Sequence, residues 1–343
     1  MRLKQKIKVL IVDDSLLFRE TLSREISKDP DVEVVGTAAD PYMARDMIIK
    51  LKPDVLTLDV EMPKMNGIEF LKKLMPQYPL PVIVVSSVSK NILDALDAGA
   101  VEFVTKPNLS RVGGMDSFVN ELIVKIKIAS TAKVGNLKKD YAPSNAVAGT
   151  GVNTLNTVIA IGASTGGTDA IYAVVSRLPR DMPPILIVQH MPPVFTKLYA
   201  DRLNNTCQLE VKEAQDGDEL RPGRVLIAPG SYQMRLAKRG SGYYVKCTQE
   251  EKVSGHCPSV DVLFTSVAEA AGKQAIGVIL TGMGRDGADG LLKMKKKGAY
   301  TIGQDEKSSI VYGMPMVAYN IGGVEKQLPL DRISDEIVRY LSK

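Results

Sequence analysis

Between residues 7 and 128 the chain alternates short β-branched runs with amphipathic segments, and no other feature restricts its fold as tightly. The runs are KVLIV, VEVVGTA, DVLTLD, PVIVVS and VEFVT. Between them lie LLFRETLSREIS, PYMARDMIIKL, GIEFLKKLM and NILDALDAG, whose apolar residues recur at helical spacing. Nearly unbroken apolar strands separated by helices predict a parallel sheet with helices on both faces.

Residues 129–155 break this rhythm. The segment STAKVGNLKKDYAPSNAVAGTGVNTL is rich in small and polar residues and reads as a flexible linker. The βα pattern resumes with NTVIAIGAS, PPILIVQH and QAIGVILTG, while GRVLIAPGSYQMRLAKRGSGYYVKC reads as hairpins with turns at Pro-Gly and Gly-Ser-Gly. The expected organisation is therefore an α/β unit over 1–128, a linker over 129–155, and a second, mainly parallel α/β unit with a β-hairpin insertion over 156–343. The basic N-terminus MRLKQKIKVLIVDD has a short apolar run ending in two aspartates, and reads as a first strand and not as a signal peptide.

Functional groups in a parallel sheet gather beyond the carboxyl ends of the strands. In the first unit these positions hold Asp13 and Asp14, Asp59, Ser86 and Lys106. Three converging carboxylates repel one another unless a cation lies among them, and hard oxygen ligands with room for water suit Mg2+. A hydroxyl and an ammonium opposite them could receive a phosphoryl group on Asp59. Taken singly, each acidic residue could equally be solvated or cap a helix.

With VDDS, LDVEMPKMNG, VVSS and FVTKP, residues 5–128 resemble the flavodoxin-like receiver domain of two-component response regulators. The resemblance implies that Asp59 accepts phosphate from a histidine kinase. It further implies that Asp14, Asp59 and the backbone carbonyl of Glu61 ligate Mg2+, with Asp13 acting through water. Ser86 and Lys106 would contact the phosphoryl group, and Phe103 would move as the switch aromatic. The Lys106–Pro107 peptide could be cis, since proline permits it.

In the second unit, VIAIGASTGGTDAI raises a question of its own: a strand ends in a glycine-rich turn around Ser164 and then becomes helical. A serine needs a base to become a nucleophile, and the chain has only two histidines, His190 and His256. His190 ends the strand ILIVQH, and Asp286 lies in TGMGRDGADG just past a third strand. Serine, histidine and aspartate from three strand ends match the roles of a catalytic triad. Other readings stay open: a generic glycine-rich turn, a structural histidine, or an aspartate (Asp286 or Asp289) that merely satisfies backbone donors. Dinucleotide binding fits poorly, because G-x-G-x-x-G is absent and the next strand ends in Gln-His and not in an acid. A P-loop also fails, because no Gly-Lys-Ser/Thr follows the turn. His256–Cys257 is read as structural or substrate-facing, because neighbouring residues on a strand face opposite ways.

The stretches IGASTGG, VQHMPP, DGDELRPGRVLIAPG, PSVDVLF and LTGMGRDGADG resemble the catalytic domain of the chemotaxis protein-glutamate methylesterases, the CheB family. With the receiver and linker, the resemblance spans nearly the whole chain. It implies a phosphorylation-regulated serine hydrolase that removes methanol from glutamyl methyl esters on the cytoplasmic helices of chemoreceptors; the family also deamidates particular receptor glutamines. Ser164 would be the nucleophile, His190 the base and Asp286 its orienter, with Thr165 and Met283 at the oxyanion-stabilising positions. The partners implied are chemoreceptors as substrate and the chemotaxis histidine kinase as phosphodonor, with Mg2+ in the receiver and no cofactor in the catalytic unit. A phosphorylatable unit ahead of a hydrolase suggests control by access to the serine.

Composition excludes several other classes. A charge of +5 spread along the chain, without a basic recognition segment or helix-turn-helix pattern, argues against a nucleic-acid partner. No stretch reaches the roughly eighteen apolar residues a membrane span needs, so no direct membrane insertion is expected. Three cysteines, an odd count without metal-ligand spacing, suit a reducing cytoplasm. A non-catalytic scaffold on receptors is the remaining alternative to an enzyme.

Overall fold

The computed structural model describes residues 5–63, 65–87, 90–107, 114–135 and 157–342. The chain divides into two compact units, Met1–Lys139 and Asp140–Lys343. Most of the expected linker, residues 136–155, lies outside the described residues; its first residue, Ala129, closes the last helix of the first unit.

The first unit contains β1 (Ile7–Val12), α1 (Leu16–Ile26), β2 (Val32–Ala38), α2 (Pro41–Leu51), β3 (Val55–Asp59), α3 (Gly67–Leu74), β4 (Val82–Ser86), α4 (Lys90–Asp97), β5 (Glu102–Thr105) and α5 (Gly114–Ala129). All strand pairs are parallel, in the order β2-β1-β3-β4-β5. Helix starts are set by short polar side chains: Ser15, Asp40 and Asn66 each accept a hydrogen bond from a first-turn N–H. Strands β3 and β4 are buried along their whole length, as a sheet covered on both faces requires.

The second unit runs β6 (Val158–Ala163), α6 (Gly167–Val175), β7 (Ile185–Gln189), α7 (Phe195–Thr206), β8 (Glu210–Glu213), β9 (Arg224–Ile227), β10 (Gln233–Arg239), β11 (Gly242–Thr248), α8 (Val260–Ala270), β12 (Ala275–Ile279), α9 (Ala288–Lys296), β13 (Tyr300–Gln304), α10 (Met314–Asn320), β14 (Lys326–Leu328) and α11 (Leu330–Leu341). Seven of these strands form one parallel sheet, β14-β13-β12-β6-β7-β9-β8, and β10 pairs with β11 in a separate antiparallel hairpin. The expected hairpins over 223–247 are thus only half realised. Val225, Leu226 and Ile227 are buried on both faces, so β9 enters the main sheet as a parallel strand beside β7. Strands β8 and β14 escape a reading of apolar runs, because edge strands bury little and EVKE and KQL are largely polar.

Helix α8 lies against β6 at close range. A Cβ at Gly162 would stand 2.2 Å from Val260 Cγ1 and 3.1 Å from Val260 Cβ, so only glycine lets the helix start approach the strand. Gly162→Ala is expected to destabilise the second unit by about 1–3 kcal/mol through overpacking, read as a lower urea midpoint at unchanged slope.

Candidate active site and phospho-acceptor pocket

The chain leaves β6 first toward β7, β9 and β8, then returns past β6 to β12, β13 and β14. Connections diverging from a central strand open a crevice at its carboxyl end. Ser164 follows β6, His190 follows β7, and Asp286 lies in the loop after β12, so all three border that crevice.

Ser164 is placed by its backbone. Its N–H donates to the Thr281 carbonyl (3.0 Å), and its carbonyl accepts from Gly167 N–H (2.6 Å) and Gln189 Nε2 (2.9 Å). Buried Thr281 anchors the turn further: its hydroxyl donates to the Thr165 carbonyl (3.0 Å), and its N–H donates to Gln304 Oε1 (2.8 Å). A Cβ at Gly282 would lie 2.7 Å from Ser164 Cβ and 2.4 Å from Met314 Sδ, so a bare backbone is needed beside the serine.

His190 is fixed at its backbone by a bond from its N–H to the Ala163 carbonyl (3.2 Å). In the ring, Nε2 lies 2.8 Å from Asp286 Oδ2, while Nδ1 is buried without a hydrogen-bond partner. An ionised carboxylate only accepts, so the ring proton resides on Nε2 and Nδ1 keeps its lone pair. Ser164 Oγ has no hydrogen bond among the described residues, so no bond joins serine and imidazole in this state. Catalytic bonds often close only once substrate binds.

Asp286 is 2% exposed, and a buried carboxylate needs every lone pair engaged. Oδ1 accepts from Ser259 Oγ (2.7 Å) and Asp261 N–H (3.0 Å), and Oδ2 from Val260 N–H (2.7 Å) and His190. These backbone donors are the first N–H groups of α8, where the helix dipole favours an anion. Burial pushes the carboxyl up, but the bonds from His190, Ser259 and Asp261 outweigh it and hold Asp286 below its ordinary range.

The remaining expected residues fall around this core. Thr165 is buried next to Ser164, and Met283, 43% exposed, follows Gly282. The Met283 N–H has no hydrogen bond among the described residues, as an oxyanion donor requires. Asp289 pairs with exposed Arg285 outside the site. His256 is stacked on His190, while burial pushes the Cys257 thiol up, away from the thiolate a nucleophile needs. Sequence reading missed Ser259, Gln189, Thr281 and Gln304, which touch the site through backbone or second partners. A signal was present for Ser259, the polar residue after Pro258 in PSVDVLF, and for Gln189, the polar end of an apolar strand.

In the first unit, carboxylate oxygens of Asp13, Asp14 and Asp59 all lie within 4.8 Å of one another. Lys106 Nζ bridges Asp13 Oδ2 (2.7 Å) and Asp59 Oδ2 (2.8 Å), and Asp59 Oδ1 accepts from Glu61 N–H (3.2 Å). Burial raises the Asp59 carboxyl despite the Lys106 contact. Burial alone would lower Lys106, but the two carboxylates outweigh it and raise it. One ammonium against three carboxylates leaves the pocket negative, and exposed Asp14 opens it to solvent, so the donor set fits a hydrated divalent cation. Ser86 is fully buried at the end of β4, and Phe103 is buried with Lys125 Nζ 5.0 Å from its ring centre. Lys106–Pro107 is not cis; among the described residues the cis peptide is Cys257–Pro258.

These features define a response regulator whose output unit is a parallel α/β sheet with serine, histidine and aspartate at its crevice. Residues 9–112 match the response regulator receiver domain family, and residues 159–337 match the CheB methylesterase family. The chain belongs to the CheB methylesterase family. A protein-glutamate methylesterase/protein-glutamine glutaminase 2 of Syntrophomonas wolfei is 59% identical over 100% of both chains. The protein-glutamate methylesterase/protein-glutamine glutaminase of Salmonella typhimurium is 48% identical, covering 98% of this chain and 97% of its own. The solved catalytic domain of Thermotoga maritima CheB methylesterase is 37% identical, with a TM-score of 0.53, covering 54% of this chain and 98% of that domain. No helix among the described residues is long and apolar enough to cross a membrane.

Removing the Ser259 hydroxyl takes one of four donors from a buried charge. Ser259→Ala is expected to lower kcat for ester hydrolysis about 10–10²-fold with little change in KM, in line with about 1.5–3 kcal/mol for hydrogen bonds to charged groups. Gly282→Ala is expected to displace Ser164 and cost on the order of 10²-fold in kcat, with far-UV circular dichroism unchanged.

Proposed function

We propose that the second unit hydrolyses methyl esters of glutamyl side chains on chemoreceptors and deamidates glutaminyl side chains, under control of phosphorylation in the first. The observation that carries this reading is the division of labour on His190: Nε2 is committed to a fully bonded Asp286, and Nδ1 is buried with its lone pair unused.

Ser164 Oγ attacks the ester carbonyl carbon as His190 Nδ1 takes its proton. The carbonyl π pair moves onto oxygen, where the N–H groups of Thr165 and Met283 would stabilise it; losing one such donor typically costs about 10²–10³ in rate. Collapse breaks the bond to the methoxy oxygen, which leaves as methanol with the proton from His190. Water, deprotonated by the same nitrogen, then cleaves the glutamyl-serine ester. With a glutamine substrate the leaving group is ammonia. Asp286 keeps the imidazole in the required tautomer and steadies the imidazolium, without itself taking the proton.

In the receiver, Asp59 would accept the phosphoryl group from the chemotaxis histidine kinase. Asp14, Asp59 and the Glu61 carbonyl would hold Mg2+, with Asp13 acting through water; the ion supplies charge neutralisation for the incoming phosphoryl oxygens. Lys106, now paired with Asp59, would turn to the phosphoryl oxygens with the Ser86 hydroxyl, and Phe103 would report the change. A cytoplasmic location follows from this substrate and this kinase.

Methanol release from methylated receptor membranes tests both halves. Ser164→Ala is expected to lose at least about 10³-fold of the rate; undiminished release would remove the serine from the mechanism. A small phosphodonor with Mg2+ is expected to raise the wild-type rate. Asp59→Asn or chelation of the metal should abolish that increase and leave basal hydrolysis in place.

A further inference from the structure

The imidazole rings of His190 and His256 lie face to face, centroids 3.6 Å apart and planes 8° from parallel. They are the only histidines in the chain, and the second belongs to no part of the chemistry above. The loop carrying His256, between β11 and α8, is tied down independently of the stack. Gln233, fully buried, donates from Nε2 to the carbonyls of Glu251 and His256 (3.2 Å each) and accepts from Ser259 N–H (2.9 Å). Val253 and His256 exchange backbone bonds of 3.0 and 2.9 Å.

We propose that His256 is a positioning residue: its ring face holds the plane of His190 and so fixes the direction in which Nδ1 presents its lone pair. The proposal rests on the esterase reading of the site. The bond to Asp286 secures one corner of the imidazole but leaves it free to tilt about the Nε2···Oδ2 line. A parallel ring in van der Waals contact removes that tilt. Edge and face are then held by different loops, and a misplacement of about 1 Å at the base can cost on the order of 10²-fold. The stack also serves the charged state, because an imidazolium lying on a neutral aromatic face is stabilised by it. His256 is suited to remain neutral. Burial, His190 and Lys252 push its pKa down to about 4, against the opposing pull of Asp286. A lysine or arginine in its place would repel the imidazolium.

Three full-length proteins test this: wild type, His256→Phe, which keeps a flat ring, and His256→Leu, which fills the space without one. Methanol release gives kcat and KM, and proton–carbon NMR of the imidazole ring protons reads the stack directly. In wild type the His190 ring protons should sit upfield, shielded by the neighbouring ring. In His256→Leu they should move downfield, with kcat falling about 10–10²-fold and KM within about twofold. In His256→Phe the upfield position and most of kcat should return, within about fivefold of wild type. Wild-type kcat in His256→Leu, equal damage in both variants, or unshielded His190 protons in the wild-type spectrum would each overturn the proposal. If His256→Leu does not fold, shown by thermal melting, the wild-type spectrum and His256→Phe decide. A wild-type protein that releases no methanol would instead sink the esterase reading, and the spectra would still decide whether the rings stack.

Discussion

The Asp286 carboxylate, buried at the start of α8, is the interaction on which the crevice edge of the second unit depends. It accepts from His190, from the Ser259 hydroxyl and from two N–H groups of the helix. Each donor comes with a different obligation. Val260 brings the helix against Gly162 of β6, Ser259 is bonded through its N–H to Gln233 of β10, and His190 brings the end of β7. One buried charge thus fixes the relative placement of a helix, a hairpin and two central strands. Taking away one partner of such a group leaves an uncompensated charge, which costs far more than an ordinary contact.

The two units bury carboxylates in opposite ways, and the difference suits the role proposed for each. Asp286 is saturated with donors and held ionised, so it stays an anion whatever happens to its neighbour. Asp59 has one ammonium, one N–H and two other carboxylates for company, and burial drives its carboxyl upward. It is left electrostatically unfinished. A cation relieves the repulsion, and covalent modification changes the pocket's charge and hydrogen-bonding demand together. A saturated carboxylate makes a fixed orienter, whereas an unsaturated one makes a switch.

Much of this was legible in the linear sequence, for a definite reason. Strands of a parallel sheet covered on both faces are apolar throughout, so VLTLD, VIVVS, VIAIGA and ILIVQ announce themselves, and the polar residue ending each one is placed at the functional edge. Asp59, Ser86, Ser164 and His190 were placed at that edge in this way. Asp286 needed one step more, since it stands in the loop beyond its strand. The polar edge strands β8 and β14 carried no such signal, and β9 was mistaken for part of a hairpin because Pro229–Gly230 follows it closely. The choice of imidazole nitrogen was also invisible. It depends on how the β7 carboxyl end meets α8, which no local pattern encodes. The His190–His256 stack joins residues from different loops, and spacing along the chain says nothing about it.

Placing the serine on the central strand of the sheet has a consequence for how the protein is made. Strand β6 meets β7 after a short crossover, but its other neighbour, β12, arrives more than a hundred residues later, from Ala275 onward. A chain emerging from the ribosome therefore carries β6 with one edge unpaired until synthesis has passed Ala275–Ile279. Long-range pairing of this kind is entropically costly and slow to close. During that interval the serine turn lacks the Thr281 carbonyl, Gly282 and Asp286 that give it shape. Hydrolytic competence is thus a late property of the nascent polypeptide, acquired only when the chain from Ala275 onward closes beside the first strand of the unit.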